Sequence, residues 1–184
     1  MYRIKLYGLG GQGVVTAANI LSHAVSLHEN KYAKTFPAYG HERRGAPVFS
    51  DVMVDNQPIL LNSFVYDPDI VVVFDASVMS KGIDIGKGTH EKTILIINTE
   101  QEGILTRLSE QYRFAGIFFV NATKIAVDHI GRNIPNGPML GALAFTGLVN
   151  IDSIKHSLSD FFKEKGGEKN VKAAEQAFRE TRRW

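Results

Sequence analysis

No cysteine occurs in the 184 residues of this chain. It therefore forms no disulfide, builds no thiolate metal site and ligates no iron–sulfur cluster of its own. Any electrons that its chemistry involves must travel through another subunit. An excess of charge of either sign is also missing. The net charge is +2 at neutral pH, and no Lys/Arg cluster is interleaved with aromatics, which argues against a nucleic-acid surface. No apolar run approaches membrane-spanning length and no leader pattern precedes the first strand, so a cytoplasmic chain without a membrane partner is expected. Catalytic signatures are missing too. The six histidines (23, 28, 41, 90, 129 and 156) lack metal-ligand spacing. There is no Gly-x-Ser-x-Gly elbow, and no Lys-Ser/Thr follows the glycines as a Walker loop requires. The sequence contains neither an internal repeat nor a low-complexity tract.

What is present is a glycine cluster between a short β-forming run and a helix. Ile4-Lys5-Leu6-Tyr7 leads into Gly8-Leu9-Gly10-Gly11-Gln12-Gly13, and Val14 to Leu27 leaves it. Apolar residues at 14, 17, 18, 21, 24 and 25 make one broad helical stripe that faces a core. Glycines without a Cβ let the chain turn sharply and let a ligand approach the backbone, while N–H groups at a helix start attract phosphate. Gly8-x-Gly10-x-x-Gly13 fits the dinucleotide fingerprint. The full pattern also needs an Asp or Glu about 20 residues on, to hold a ribose hydroxyl. Here that region is Asn30-Lys31-Tyr32-Ala33-Lys34-Thr35, basic where an acid is wanted, which argues against NAD. A tight strand-to-helix turn that binds nothing would show the same glycines.

Thr35 to Pro47 reads as a loop, given its prolines and glycines. Its Glu42-Arg43-Arg44 cluster is flanked by Phe36, Tyr39 and Pro47, which disfavours a fully solvated tip and predicts a contact loop. Val48–Val54 alternates as a strand, and Ile59-Leu60-Leu61 is expected to return antiparallel to it. Ile70–Phe74, Thr93–Asn98 and Ile117–Asn121 are β-branched and aromatic runs typical of buried parallel strands. Asp75 is expected to cap the next helix. Helical patterns cover Gln101–Tyr112, Ala122–Ile130, Pro138–Val149, Asp152–Lys165 and Asn170–Arg183. Repeated strand-then-helix order predicts an α/β fold: a Rossmann-like three-layer domain over 1–184, with a mainly parallel sheet, some antiparallel strands and helices on both faces.

Two long ordered motifs carry a family resemblance. Gly8-Leu9-Gly10-Gly11-Gln12-Gly13-Val14-Val15-Thr16-Ala17-Ala18 and Phe36-Pro37-Ala38-Tyr39-Gly40-His41-Glu42-Arg43-Arg44-Gly45-Ala46-Pro47 resemble the gamma subunit of 2-oxoacid:ferredoxin oxidoreductases (the pyruvate synthase family). The likeness continues through Pro68–Val73, Asn121–Ala126, Asn136–Ala142 and Glu168–Ala174. Arg43-Arg44-Gly45-Ala46-Pro47 looks more like the pyruvate and branched-chain members than the 2-oxoglutarate ones, although His41 departs from the proline common there.

The resemblance implies a subunit of an enzyme that oxidatively decarboxylates a 2-oxoacid to an acyl-CoA, inactive on its own. Alpha, beta and delta subunits would be its partners and ferredoxin its electron acceptor through the complex. Thiamine diphosphate and iron–sulfur clusters would lie in those partner subunits. Part of the coenzyme A site would lie here, on Gly8, Gly10, Gly11, Gln12 and Gly13, with Arg43 and Arg44 in the contact loop. No catalytic or metal-ligating residue is assigned to this chain. A stand-alone Rossmann-type nucleotide-binding oxidoreductase and a purely structural assembly subunit are the competing readings.

Overall fold

The computed structural model describes residues 1–38, 44–163 and 166–184. Its centre is a seven-stranded sheet built from β1 (Tyr2–Leu9), β2 (Tyr32–Pro37), β3 (Pro47–Asp55), β4 (Ile70–Val73), β5 (Ile94–Asn98), β6 (Gly116–Val120) and β7 (Arg182–Arg183). The strand order is β2-β3-β1-β4-β5-β6-β7. The central block β1-β4-β5-β6 is parallel. Antiparallel pairing of β3 to β1 and β2, and of β7 to β6, completes the edges. Thus β1, β2, β4, β5 and β6 run one way, and β3 and β7 the other.

Alternation along the strands divides the core in two. Ile4, Leu6, Val52, Val54, Val72 and Ile96 face one side. There they pack under α1 (Val14–His28), α3 (Ala122–Ile130), α4 (Asn136–Phe145), α5 (Ile151–Phe162) and α6 (Gly167–Glu180). Tyr7, Val71, Val73, Leu95 and Ile97 face the other, against a 3₁₀ turn (Ala76–Lys81) and α2 (Glu102–Gln111). Helices therefore cover both faces, as the strand-helix alternation predicts. The expected stripe on α1 is buried as read, with Ile20 joining it. At about 1.5–3 kcal/mol per large aliphatic side chain removed from water, that stripe alone fixes α1 to the sheet.

Helix α4 is buried all round from Asn136 to Ala144. Small residues let α6 approach it closely: a Cβ on Gly141 would fall 2.0 Å from the Ala174 carbonyl oxygen. Among the described residues, no helix is long and apolar enough to cross a membrane.

Several local expectations are corrected. Thr35, Phe36 and Pro37 are not loop but the end of β2, paired with Val52, Asp51 and Ser50. Pro37 is tolerated there because β2 is an edge strand. Ile59-Leu60-Leu61 forms no strand, since both edges of β3 are taken by β1 and β2. Helix α4 stops at Phe145, and the tail leaves α6 after Glu180 to add β7 to the sheet. The Tyr39–Arg43 part of the contact loop, Arg43 included, lies outside the described residues.

Candidate functional site

The glycine turn lies at the C-terminal end of β1, where the sheet switches direction. The chain leaves β1 through α1 toward β2 and β3, and leaves β4 through the 3₁₀ turn toward β5. In open α/β sheets such a switch point opens the crevice in which ligands bind. This one is held shut at its base by Gln12, which is 7% exposed. The Leu9 N–H donates to Gln12 Oε1 (2.9 Å), and Gln12 Nε2 donates to Asp75 Oδ2 (2.7 Å). Asp75 accepts from the Ser77 N–H through its other oxygen (2.9 Å), so it is both the expected cap and the partner of Gln12. The Gln12 side chain is thus committed to hydrogen bonds inside the protein, and it does not line the cavity beside Gly11 described below.

The glycines divide by role. A Cβ on Gly8 would sit 2.6 Å from Val14 Cγ2 and 2.9 Å from Phe74 Cβ, so Gly8 serves the packing of α1 and β4 on β1. Gly13 precedes α1 in the left-handed region (φ 76°), and a Cβ there would meet Asn136 Nδ2 at 2.8 Å. Gly10 ties the turn to the distant Arg44–Pro47 segment: its N–H donates to Ala46 O (2.8 Å) and its carbonyl accepts from the Gly45 N–H (3.1 Å). That pairing brings Arg44 over Gly11, where an added Cβ would meet Arg44 Cγ at 3.7 Å. Gly11 itself has φ 95° and borders open space.

Beside Gly11 lies a cavity of about 560 Å³, walled by the start of α1 (Val14, Val15, Thr16), Arg44 and Asn136. The first bond within α1 runs from the Ala17 N–H to Gly13 O (2.8 Å). The N–H groups of Val14, Val15 and Thr16 therefore have no partner in the helix, no side chain among the described residues caps them, and no acidic residue occupies the first turn. Asn136 is 3% exposed. Its Oδ1 accepts from the Gly137 N–H (2.9 Å), leaving Nδ2 directed at the turn. A second hollow of about 290 Å³ shares Ile134, Asn136 and Phe162 with the first and adds Arg132 and Lys169. Unpaired amide donors, a helix dipole, a carboxamide and three cationic side chains are suited to an extended anion with more than one phosphate. Sequence reasoning missed Asn136, Arg132 and Lys169, since nothing local joins them to the glycine turn.

A larger hollow of about 1220 Å³ opens over the ends of β4, β5 and β6. Its charged lining is Asp75, Asp84 and Glu100 against Arg107, a poor setting for a polyanion. Tyr112 donates to Asp84 there (2.7 Å), and burial with that bond pushes its phenol up to about 12, beyond acid–base service at neutral pH. The volumes favour this hollow, but the charges favour the smaller pair for phosphate.

Comparison with known proteins identifies the family of the chain. The pyruvate ferredoxin/flavodoxin oxidoreductase family matches residues 3–180. Over 98% of this chain and 97% of its counterpart, the sequence is 44% identical to the pyruvate/ketoisovalerate oxidoreductases common subunit gamma of Pyrococcus furiosus. The crystal structure of pyruvate oxidoreductase subunit PORC from Thermotoga maritima superposes with a TM-score of 0.84 at 33% identity, covering 99% of this chain and 97% of that one. A 2-oxoglutarate:ferredoxin oxidoreductase from Magnetococcus marinus, solved with 2-oxoglutarate, coenzyme A and succinyl-CoA bound, matches with a TM-score of 0.74 over 96% of this chain and 30% of its own. At 18% identity that likeness is one of fold alone. With a match running through nearly every element from β1 to α6, the chain belongs to the pyruvate ferredoxin/flavodoxin oxidoreductase family and to the gamma-subunit class within it.

Proposed function

We propose that this chain works inside a complex with alpha, beta and delta subunits, which hold thiamine diphosphate and the iron–sulfur clusters and pass electrons to ferredoxin. Its own task is to bind the phosphate-bearing end of coenzyme A. The observation that carries this reading is the uncapped start of α1 opening into a cavity beside Arg44 and Asn136. Coenzyme A has a diphosphate and a further phosphate on its ribose, and the adjoining cations at Arg132 and Lys169 extend the same field. Coenzyme A bound to a protein of the same fold supports the choice of ligand. The lack of cysteine accords with clusters held elsewhere.

Partner contact is supported by the segment between β3 and β4, where Leu60 is 89% and Tyr66 73% exposed, with Leu61 and Phe64 beside them. Phe64 stacks edge-on with Phe36 and Phe49, so this apolar surface is anchored to the edge of the sheet. A chain that worked alone would gain nothing from exposing it.

The purified chain, supplied with a 2-oxoacid, thiamine diphosphate, coenzyme A and a dye acceptor, should show no turnover, and adding the partner subunits should restore it. Robust activity without them would overturn the subunit assignment.

A further inference from the structure

Helices α1 and α5 lie against each other in antiparallel sense. The Asn150 N–H before α5 donates to Glu29 Oε1 just after α1 (2.7 Å), while Phe162 at the far end of α5 lines the cavity with Val14 and Val15. Between these fixed ends the two helices bring together polar groups that the coenzyme site does not use. One ligand atom each from His23, His28 and Asp160 lies within 4.8 Å of the others. The His156 ring sits against that of His28, with centroids 5.3 Å apart. His23 Nδ1 is hydrogen-bonded to Ser157 Oγ at 2.9 Å, which holds the ring and leaves Nε2 for another partner.

We propose that His23, His28 and Asp160 bind one divalent transition-metal ion, zinc by chemistry, with His156 placed to supply a fourth donor. Two imidazoles and a carboxylate are ordinary zinc ligands, at about 2.0–2.2 Å each. Donor atoms around a tetrahedral ion stand about 3.3–3.4 Å apart, so side-chain movements on the order of an ångström close this site. Ser157 acts as the outer partner that orients a ligating imidazole. His28 lies in the last turn of α1, where the helix dipole favours a cation. The site is about 20 Å along α1 from Gly13, so its role is to staple α1 to α5 rather than to contact the coenzyme.

The test uses the full chain, free of tags and stripped of metal. Zinc is titrated by calorimetry and cobalt by visible absorption, with melting followed in parallel. Binding of one ion per chain, a rise in melting temperature with zinc, and a tetrahedral cobalt spectrum are expected. His28→Ala and Asp160→Ala, both exposed positions that fold without strain, should each weaken binding by ~10–100-fold or more. His156→Ala should weaken it less. No binding, or binding of several loose equivalents unchanged in His28→Ala and Asp160→Ala, would overturn the proposal.

Discussion

Replacing Lys5 with methionine should lower the melting temperature by roughly 10 °C at neutral pH. Lys5 and Asp51 face each other across β1 and β3, with Nζ 2.9 and 3.0 Å from the two carboxylate oxygens. Asp51 is fully buried. Its Oδ2 also accepts from the Val65 N–H (2.7 Å), and Lys5 donates to Val65 O (2.9 Å). The pair therefore pins the apolar β3–β4 segment to the sheet as well as satisfying itself. Removing the lysine leaves a buried carboxylate with no countercharge, which typically costs about 3–5 kcal/mol. Burial already holds the Asp51 carboxyl above its ordinary range, against the pull of Lys5 and Val65.

The pH dependence has a definite sign. A carboxyl with a raised value in the folded state favours folding when protonated, and that contribution is lost as pH rises through the raised value. The deficit of Lys5→Met should therefore be largest at neutral pH and shrink on acidification. The double change Lys5→Met, Asp51→Asn, which removes the buried charge but keeps an acceptor for Val65, should recover much of the loss. Melting curves at neutral and mildly acid pH check all three outcomes. A single variant that melts like the parent would show that the pair is inconsequential.

In the assembled complex, Arg44→Ala should raise the apparent coenzyme A requirement by ~10-fold or more while leaving the 2-oxoacid requirement nearly unchanged. A charge-assisted hydrogen bond to phosphate is worth about 1.5–3 kcal/mol, and each 1.4 kcal/mol is tenfold in affinity. Arg132→Ala and Lys169→Ala should move in the same direction through the adjoining hollow. Gln12→Leu is the contrasting case. It strands the Leu9 N–H and Asp75, so it should cost about 1–3 kcal/mol of stability with little effect specific to coenzyme A. Gly11→Val is a poorer probe than its position in sequence implies, because φ 95° strains any branched side chain whether or not a ligand is near. Steady-state kinetics with each substrate varied in turn would distinguish these. An Arg44→Ala complex with parental coenzyme A kinetics would remove Arg44 from the site.

The parts of this fold that were legible in the sequence are those governed by short-range pattern. The α1 stripe, the Ile70–Phe74 and Thr93–Asn98 strands and the glycine turn each carry their signal within a few residues. Strand β2 was hidden because Pro37 and the glycines beyond it dominate the reading of Thr35–Pro47. Its pairing depends on Ser50, Asp51 and Val52, for which the local pattern offers Ile59–Leu61 as the antiparallel partner. The two-residue strand β7 has no pattern to detect and exists only because β6 offers it an edge. The missing acidic residue at Asn30–Thr35 also acquires a different cause. Strand β3 lies between β2 and β1, so the end of β2 does not border the glycine turn as it would in a dinucleotide-binding unit.

The site was half legible for the same reason. The glycine turn announced a helix start open to anions, but it could not separate Gly8 and Gly13, which serve packing and helix entry, from Gly11, which borders the cavity. Asn136 reaches that cavity, and Arg132 and Lys169 the adjoining hollow, only through the tertiary packing that joins α4 to α1 and α6.

The central claim is that the start of α1 holds the phosphate end of coenzyme A, and amide hydrogen exchange in the assembled complex tests it most directly. The amides of Val14, Val15 and Thr16 have no acceptor within α1 and should exchange fast in the absence of ligand. Saturating coenzyme A should slow exchange in the Gly11–Thr16 stretch, while the amides of β5, already bonded within the sheet, should not change. Exchange across Gly11–Thr16 that is identical with and without coenzyme A, in a complex that turns over, would contradict the account and leave the turn a purely structural element.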